Sequence, residues 1–181
     1  MRSILYSALL YVTRLLLPLV SLTNSKISLF YKGRKGLLNK IKQSLSIDGH
    51  PKIWVHCSSV GEFEQGLPVI EKLKQLYPDW KVVVTFFSPS GYEAVQNPII
   101  DFKFYLPLDT PLNAKEFIDT IDPKLALFIK YEFWFTYLKV LNNRAVPTFS
   151  FSSIFSPSQI FFRPTGVWNS NMLYAFDYFM L

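Results

Sequence analysis

The stretch "WVHCSSVGEFEQG", residues 54–66, decides the fold class of this chain. Its apolar beginning is typical of a buried strand, and its end has the spacing of an amphipathic helix. Small polar residues lie between them, followed by Gly61 and Glu62. A strand that passes directly into a helix is typical of α/β proteins. The carboxylate at this junction is either an ordinary helix-start residue or an acid–base group.

The same alternation of strands and helices continues along the chain. It predicts strands over residues 52–59, 81–87, 102–106, 125–129, 148–152 and 178–181. It predicts helices over 62–76, 92–96, 132–141 and 167–176, and one that starts at Pro111. We expect Pro68 to delay the regular start of the first of these helices, because proline is tolerated best in a first turn. This order predicts a Rossmann-like parallel sheet with helices on both faces.

Ligands of such sheets bind beyond the carboxyl ends of the strands. Four segments follow predicted strands and should converge there, namely residues 58–62, 88–91, 130–134 and 152–158. The sequence has neither a GxGxxG nor a GxxxxGK[ST] motif, which excludes the ordinary dinucleotide and ATP fingerprints. Two histidines and one cysteine, Cys57, are too few for a convincing zinc pattern.

Several residues at these strand ends suit a reaction site. The helix dipole and the open amides of a helix start favour the ionised form of Glu62. Gly61 would let the backbone turn and leave room for a substrate. The turn of residues 88–91, SPSG, offers hydroxyls and amides to a phosphate or a sugar, although an ordinary capped turn has the same composition.

Two further charged positions remain ambiguous from the pattern alone. Lys130 and Glu132 surround a strand end, where they form either part of a site or a local ion pair. Arg163 follows two phenylalanines and either clamps an anion or lies exposed on the surface.

The N-terminal arm carries the positive charge of the protein. Residues 1–47 contain eight lysines and arginines and no acid, whereas the whole chain has a net charge of +6. A basic arm suits a membrane surface, a phosphorylated lipid or nucleic acid. No nucleic-acid-binding motif accompanies it, so nucleic acid is not an expected partner.

The apolar run over residues 4–22 favours the membrane among these partners. Its length approaches the roughly 20 residues of a membrane span, but Arg14 and Pro18 interrupt it. This pattern predicts a tilted or half-buried membrane anchor, with a buried amphipathic helix and a secretory signal as alternatives. We therefore divide the chain into an anchor helix over 1–24, a basic juxtamembrane segment over 25–50 and a Rossmann-like domain over 51–181. The basic segment should lie on the cytoplasmic side.

Six ordered motifs carry a resemblance to a known family. They are GRKG, WVHCSSVGE, VTFFSPSGYE, YLPLDTP, DPKLALFIKYEFW and SFSSIFSPSQIFFRP. Together they resemble the N-terminal half of the Kdo transferases, the 3-deoxy-D-manno-octulosonic acid transferases of lipid A assembly. The resemblance implies the N-terminal, acceptor-binding domain of a GT-B glycosyltransferase, preceded by a membrane anchor. It also implies inverting transfer of Kdo from CMP-Kdo to a lipid A precursor (lipid IVA) at the cytoplasmic face of the inner membrane.

The resemblance also assigns roles to individual residues. It makes Glu62 the catalytic base, and it implies no metal and no cofactor besides the donor substrate. Residues expected on the acceptor side are Ser59, Gly61, Ser90, Gly91, Lys130, Glu132 and Arg163. The C-terminal donor-binding domain of the family is expected to be absent, so this chain alone should be inactive. The alternatives are a non-catalytic, membrane-associated lipid-binding or interaction module, and a soluble nucleotide-sugar enzyme with its N-terminal helix in the core.

Overall fold

The computed structural model describes residues 2–156, 158–162 and 172–180, and these residues form a six-stranded parallel sheet with helices around it. The strands are β1 Lys52–Cys57, β2 Lys81–Phe86, β3 Phe102–Tyr105, β4 Pro123–Ile129, β5 Thr148–Phe151 and β6 Tyr178–Met180. Their order across the sheet is β3-β2-β1-β4-β5-β6, and every neighbouring pair is parallel. The predicted parallel α/β architecture is confirmed.

The helices lie on both faces of this sheet. They are α1 Arg2–Val20, α2 Ser25–Arg34, α3 Leu37–Leu45, α4 Val60–Leu76, α5 Pro89–Ala94, α6 Pro111–Ile121 and α7 Phe135–Asn143. Helices α3, α6 and α7 pack on one face, and α4 packs on the other. A short 3-10 turn spans Ile160–Phe162. Residues 167–171, the first half of the helix predicted over 167–176, lie outside the described residues.

The central strand β1 is buried on both faces, as parallel strands between two helical layers should be. The indole of Trp54 packs against Phe117 and Phe128 on the side of α6, with ring centroids 5.1 Å apart in both pairs. Ile53, Val55 and Cys57 lie in the core on the side of α4. The Cys57 side chain is fully buried, and this burial raises the pKa of its thiol.

Helix α4 begins two residues earlier than the sequence predicts. The hydroxyl of Ser59 accepts a hydrogen bond from the Glu62 amide at 3.4 Å, and the Phe63 amide donates to the Ser59 carbonyl at 3.2 Å. These bonds establish the first turn well before Pro68, which lies inside the helix. The expectation that Pro68 delays the regular helix is therefore wrong. The cap fixes the helix start, and the exposed proline is accommodated within it.

The sequence pattern predicts no helix over residues 25–50, but this segment contains α2 and α3. Leu37, Ile41 and Leu45 follow one face of α3 and are buried in the core beside α6. The motif GRKG joins the two helices. A methyl group at Gly33 would overlap the ring of Tyr105, and Gly36 has a left-handed φ of 65°, which glycine adopts at little cost.

Arg34, the second residue of that motif, fastens α2 to the sheet. Its Nε donates to the Leu106 carbonyl at 2.9 Å and its Nη2 donates to the Phe87 carbonyl at 2.8 Å, directly after β3 and β2. The guanidinium also lies 3.6 Å above the ring of Phe30. Burial lowers the pKa of Arg34 to about 9. Lys42, in the same basic arm, pairs with Glu116 at 2.7 Å.

Helix α1 forms over the predicted anchor segment. None of the helices in the described ranges combines the length and the hydropathy required to cross a membrane. Many apolar side chains of α1 are exposed nonetheless; the exposed fraction is 72% for Leu5 and 75% for Leu15.

A buried carboxylate attaches α1 to the sheet domain. Asp109 accepts hydrogen bonds from the Tyr6 hydroxyl at 2.6 Å, the Thr136 amide at 3.1 Å and the Tyr137 amide at 3.0 Å. The two amides belong to the first turn of α7, so the same side chain caps one helix and holds another. Burial raises the pKa of Asp109 to about 6, against the effect of these hydrogen bonds.

We expect Asp109→Ala to lower the free energy of unfolding by roughly 2–4 kcal/mol, because two buried amides and a hydroxyl lose their acceptor. Urea unfolding in a mild detergent, followed by circular dichroism, measures this loss. The exposed Asp79 offers a matched control, and Asp79→Ala should change stability by less than about 0.5 kcal/mol. Equal losses in the two variants would contradict the assigned role of Asp109.

The destabilisation by Asp109→Ala should also depend on pH. The pKa of Asp109 rises from 3.8 to about 6 in the folded protein, so the folded state holds this proton more tightly than the unfolded chain. Its contribution to stability is therefore complete below the unfolded pKa and is lost as the pH rises through the folded one. We expect the difference between wild type and Asp109→Ala to be larger near pH 4 than near pH 7. A difference that grows with pH would disprove this assignment.

Candidate active site

The strand register brings the predicted site segments to one edge of the sheet. Cys57 at the end of β1 pairs with Phe86 at the end of β2, and His56 pairs with Phe128 in β4. The residues that follow these strands therefore lie side by side. The Ser88 amide, for example, donates to the Ser58 carbonyl at 3.2 Å.

Glu62 lies in the first turn of α4 and points back to the end of β1. Its Oε2 accepts a hydrogen bond from the Ser58 amide at 2.5 Å. Among the described residues, none donates a hydrogen bond to its second oxygen, Oε1. The half-buried carboxylate is thus held by one oxygen and has the other available to a ligand.

Glu132 occupies the same edge and is bound more tightly. Its Oε1 accepts a hydrogen bond from the Ser58 hydroxyl at 2.6 Å. Its Oε2 accepts from the Trp134 indole at 2.7 Å and lies 3.2 Å from Nε2 of His56. No ion pair joins Glu132 to Lys130, although both are described, so the simple local pair considered from the sequence is not formed.

The two carboxylates differ in acidity. Burial raises the pKa of Glu62, and the charge of Glu132 adds to this effect, although the Ser58 amide opposes it. Burial also disfavours the ionised form of Glu132, but hydrogen bonds from His56, Ser58 and Trp134 hold its pKa below the ordinary value. The expectation that the helix start would favour the ionised form of Glu62 is therefore wrong in its net effect. Two neighbouring carboxyl groups with opposite shifts are typical of acid–base sites.

His56 supports this pair and was not recognised as a site residue from the sequence. Its ring is fully buried, with Nδ1 2.9 Å from Thr85 Oγ1 and 3.1 Å from the Thr85 carbonyl. The indole nitrogen of Trp134 lies 2.9 Å from its Nε2. The sequence feature that could have identified His56 is the two-residue period of β1. It places Trp54, His56 and Ser58 on one side of the strand.

Gly91 permits the close approach of α5 to the residues that follow β1. A methyl group there would lie 2.8 Å from the Phe86 ring and 3.3 Å from the Ser58 carbonyl oxygen. The neighbouring hydroxyls of Ser88 and Ser90 are 2.7 Å apart and form the polar surface of the same turn. Ser90 and Gly91 therefore lie in the turn that contacts Ser58, as the strand order predicts.

Gly61 behaves differently from Gly91. It lies within α4 without a positive φ, so the expectation that it is needed to turn the backbone is wrong. A methyl group there would meet nothing within 4 Å. The space beside this residue is consistent with a substrate position, which stays a prediction.

Lys130 follows β4 in a left-handed conformation with a φ of 63°. Its carbonyl accepts hydrogen bonds from the hydroxyls of Ser153 at 2.7 Å and Ser150 at 3.3 Å, which help to fix this backbone. Its positive charge favours the ionised form of Glu62. Ser152, after β5, has a φ of 60°, and such backbone strain often occurs at functional sites. Arg163 lies outside the described residues.

Comparison with known families gives a match over most of the chain. The family model described as 3-deoxy-D-manno-octulosonic-acid transferase (kdotransferase) matches residues 31–181. The chain belongs to the Kdo transferase family. The resemblance read from the motifs is thereby confirmed. The match begins within α2, so helix α1 lies outside it.

Individual Kdo transferases are similar over the middle of the chain. The 3-deoxy-D-manno-octulosonic acid transferase of Haemophilus influenzae is 36% identical over 97 residues, which cover 52% of this chain and 23% of that protein. The corresponding protein of Aquifex aeolicus is 34% identical over 84 residues, covering 45% and 23%. That of Chlamydophila psittaci is 33% identical over 92 residues, covering 49% and 21%. The matched part is thus less than a quarter of each of these relatives.

We expect Gly91→Ala and Gly61→Ala to affect this Kdo transferase domain in opposite ways. The first should lower the free energy of unfolding by about 1–3 kcal/mol, because the added methyl overlaps Phe86 and the Ser58 carbonyl. The second should leave stability unchanged or raise it by up to about 1 kcal/mol, because a helical glycine is replaced without a clash. Urea unfolding of both variants measures the difference. Similar losses would contradict the close packing of α5.

Two substitutions should move the pKa of Glu62 in opposite directions. Glu132→Gln removes a neighbouring negative charge and should lower it, whereas Lys130→Gln removes a positive charge and should raise it. The pH dependence of the ¹³C carboxyl shift of Glu62 measures both changes on this chain. Glu116→Gln, on α6 and paired with Lys42, is the control and should have no effect. Shifts of the same sign in both variants would contradict the charge arrangement.

Proposed function

We propose that this chain is the acceptor-binding half of a Kdo transferase that transfers Kdo from CMP-Kdo to a lipid A precursor such as lipid IVA. The observation that supports this most directly is the carboxylate pair Glu62 and Glu132, joined through Ser58 at the carboxyl edge of the sheet. Membership of the Kdo transferase family supplies the chemical class of the reaction.

Glu62 acts as the general base in this proposal. Its Oε1 takes the proton of an acceptor hydroxyl while that oxygen attacks the anomeric carbon of Kdo. The bond from this carbon to the phosphate breaks on the opposite face, and CMP leaves with the bonding electrons, so the configuration inverts. The raised pKa of Glu62 makes it a stronger base than an ordinary glutamate.

The other site residues hold the acceptor. Glu132 keeps its charge beside Glu62, and it fixes the Ser58 side chain whose backbone amide orients the base. The Ser90 hydroxyl and the backbone around Gly91 bind the sugar, with Ser59 and Gly61 beside them at the start of α4. Lys130 and Arg163 bind the phosphate groups of the acceptor, for which lysine and arginine are suitable partners.

The donor is delivered by a second Rossmann-like domain, as the family resemblance implies. The matched region covers 23% of each of the first two relatives, so the activity of the whole protein is part of this proposal. The proposal needs no metal and no cofactor besides CMP-Kdo.

We propose that α1 associates with the cytoplasmic face of the inner membrane. The exposed leucines of α1 give it an apolar surface, and Arg14, Lys26 and Lys32 supply positive charge nearby. Such a helix binds anionic lipid by apolar burial together with electrostatic attraction. The same exposed surface favours a second candidate function, a lipid-binding module without catalysis, which the following measurement distinguishes.

In a protein that carries both domains, Glu62→Gln should lower kcat for Kdo transfer by about 10²–10⁴-fold, because glutamine cannot act as the base. Acceptor binding and the melting temperature should change little, since glutamine retains the size and the hydrogen-bond acceptor. Transfer of labelled Kdo to a lipid A precursor measures the effect. The exposed Glu64, two residues along α4, is the matched control, and Glu64→Gln should retain full turnover.

Near wild-type turnover of Glu62→Gln would remove the base assignment and make Glu132 the next candidate. Lipid binding without transfer by the wild-type two-domain protein would instead favour the non-catalytic module.

A further inference from the structure

An apolar groove of about 430 Å³ lies between α1 and α2 and reaches the start of α5. Its lining is mainly apolar and includes the side chains of Leu16, Leu17, Val20, Ile27, Phe30 and Pro89. We call this space the hairpin groove. Its volume falls within the range of roughly 300–1,000 Å³ that is usual for small-molecule sites.

The hairpin groove adjoins the turn that flanks the candidate active site. Pro89, which lines it, lies between Ser88 and Ser90 of the proposed sugar-binding turn. Phe30 lines the groove from α2 and packs against a residue next to the site. Its ring contacts that of Phe87, with the centroids 5.2 Å apart. The ring of Phe87 in turn lies 4.7 Å from that of Trp134, the residue that donates to Glu132. A molecule bound at the turn therefore has the groove directly beside it.

We propose that the hairpin groove binds one fatty acyl chain of the acceptor while the sugar head group lies at the Ser88–Gly91 turn. This inference rests on the proposed function, which supplies an acylated sugar as the acceptor. An unbranched hydrocarbon suits walls of this composition, whereas a sugar or a nucleotide would leave its polar groups without hydrogen bonds there. Lys26 also lines the groove and provides a cation for a phosphate on the same molecule.

The groove differs from the outer surface of α1, which a bilayer would cover. Leu15 and Leu19 are exposed by 75% and 65% and do not line the groove. Leu17 does line it and is partly buried. Substitutions at Leu17 and Leu15 can therefore separate acceptor binding in the groove from general contact with lipid tails.

Photo-crosslinking tests the proposal on this chain in phosphatidylcholine vesicles. The probe is a phosphorylated glucosamine disaccharide that carries a tetradecanoyl chain with a diazirine near its end. We expect labelling, mapped by mass spectrometry, to concentrate on residues 13–30 and around Pro89. Leu17→Trp, which fills the groove, should reduce this labelling at least ten-fold, whereas the control Leu15→Trp should retain it. Unlabelled acylated disaccharide should compete, and the deacylated disaccharide should not.

Chain length provides a second measurement. Each methylene withdrawn from water changes affinity by roughly four-fold, so an acyl chain shorter by two methylenes should bind wild type about 15-fold more weakly. In Leu17→Trp the same shortening should change affinity less than about two-fold. Ile27→Trp fills the groove from the opposite wall and should behave in the same way. It replaces Leu17→Trp if that variant does not melt cooperatively.

The outcomes separate this inference from the proposed function. Labelling spread evenly over Leu5, Leu9, Leu15 and Leu19, unchanged by either groove-filling variant, would indicate contact with the bilayer alone and would overturn the inference. Kdo transfer by the two-domain protein without labelling of the groove would also overturn it and would leave the proposed function intact. Groove labelling without transfer would support the inference and would count against the proposed reaction.

Discussion

Ser58 joins the two acidic side chains of the site. Its backbone amide donates to Glu62 and its hydroxyl donates to Glu132, so a single residue fixes the separation of the carboxylates. Its carbonyl accepts from Ser88 and limits the space beside Gly91. The position of Ser58 is itself set by the pairing of β1 with β2 and β4. The geometry of the candidate site is thus a direct consequence of strand register, because only a few residues separate each carboxylate from the strand before it.

The site edge and most of the sheet could be predicted because their signals are local. Apolar runs followed by SVGE, SPSG and KYEFW place polar residues after strands, and parallel strands bring those ends together. The acidity of Glu62 could not be predicted in this way, because it depends on burial and on Glu132, which is distant in the sequence. His56 belongs to the site because of its register with Thr85 and its contact with Trp134. Neither neighbour can be inferred from the motif WVHC alone.

In the N-terminal arm, charge and apolar spacing point to different structures. Leu37, Ile41 and Leu45 have the spacing of a buried helical face, but the surrounding lysines are more prominent and suggest a solvated segment. Arg34 belongs to the same basic arm and yet is partly buried. Its guanidinium donates hydrogen bonds to two strand-end carbonyls and lies over an aromatic ring. Together with the Tyr6–Asp109 bond, it holds α1 and α2 against the domain. The apolar surface of α1 therefore has a fixed position relative to the carboxylates.

The burial of Cys57 has a practical consequence. It is the single cysteine of the sequence, it is fully enclosed on the α4 side of β1, and its thiol pKa is raised. The thiolate is the nucleophile that attacks an alkylating reagent, so this buried residue can react only when the layer above β1 opens. The rate of alkylation in the unmodified protein thus reports how often the structure around Ser58 and Glu62 comes apart. No label needs to be introduced, and the effect of lipids or substrates on this opening can be followed with the natural sequence.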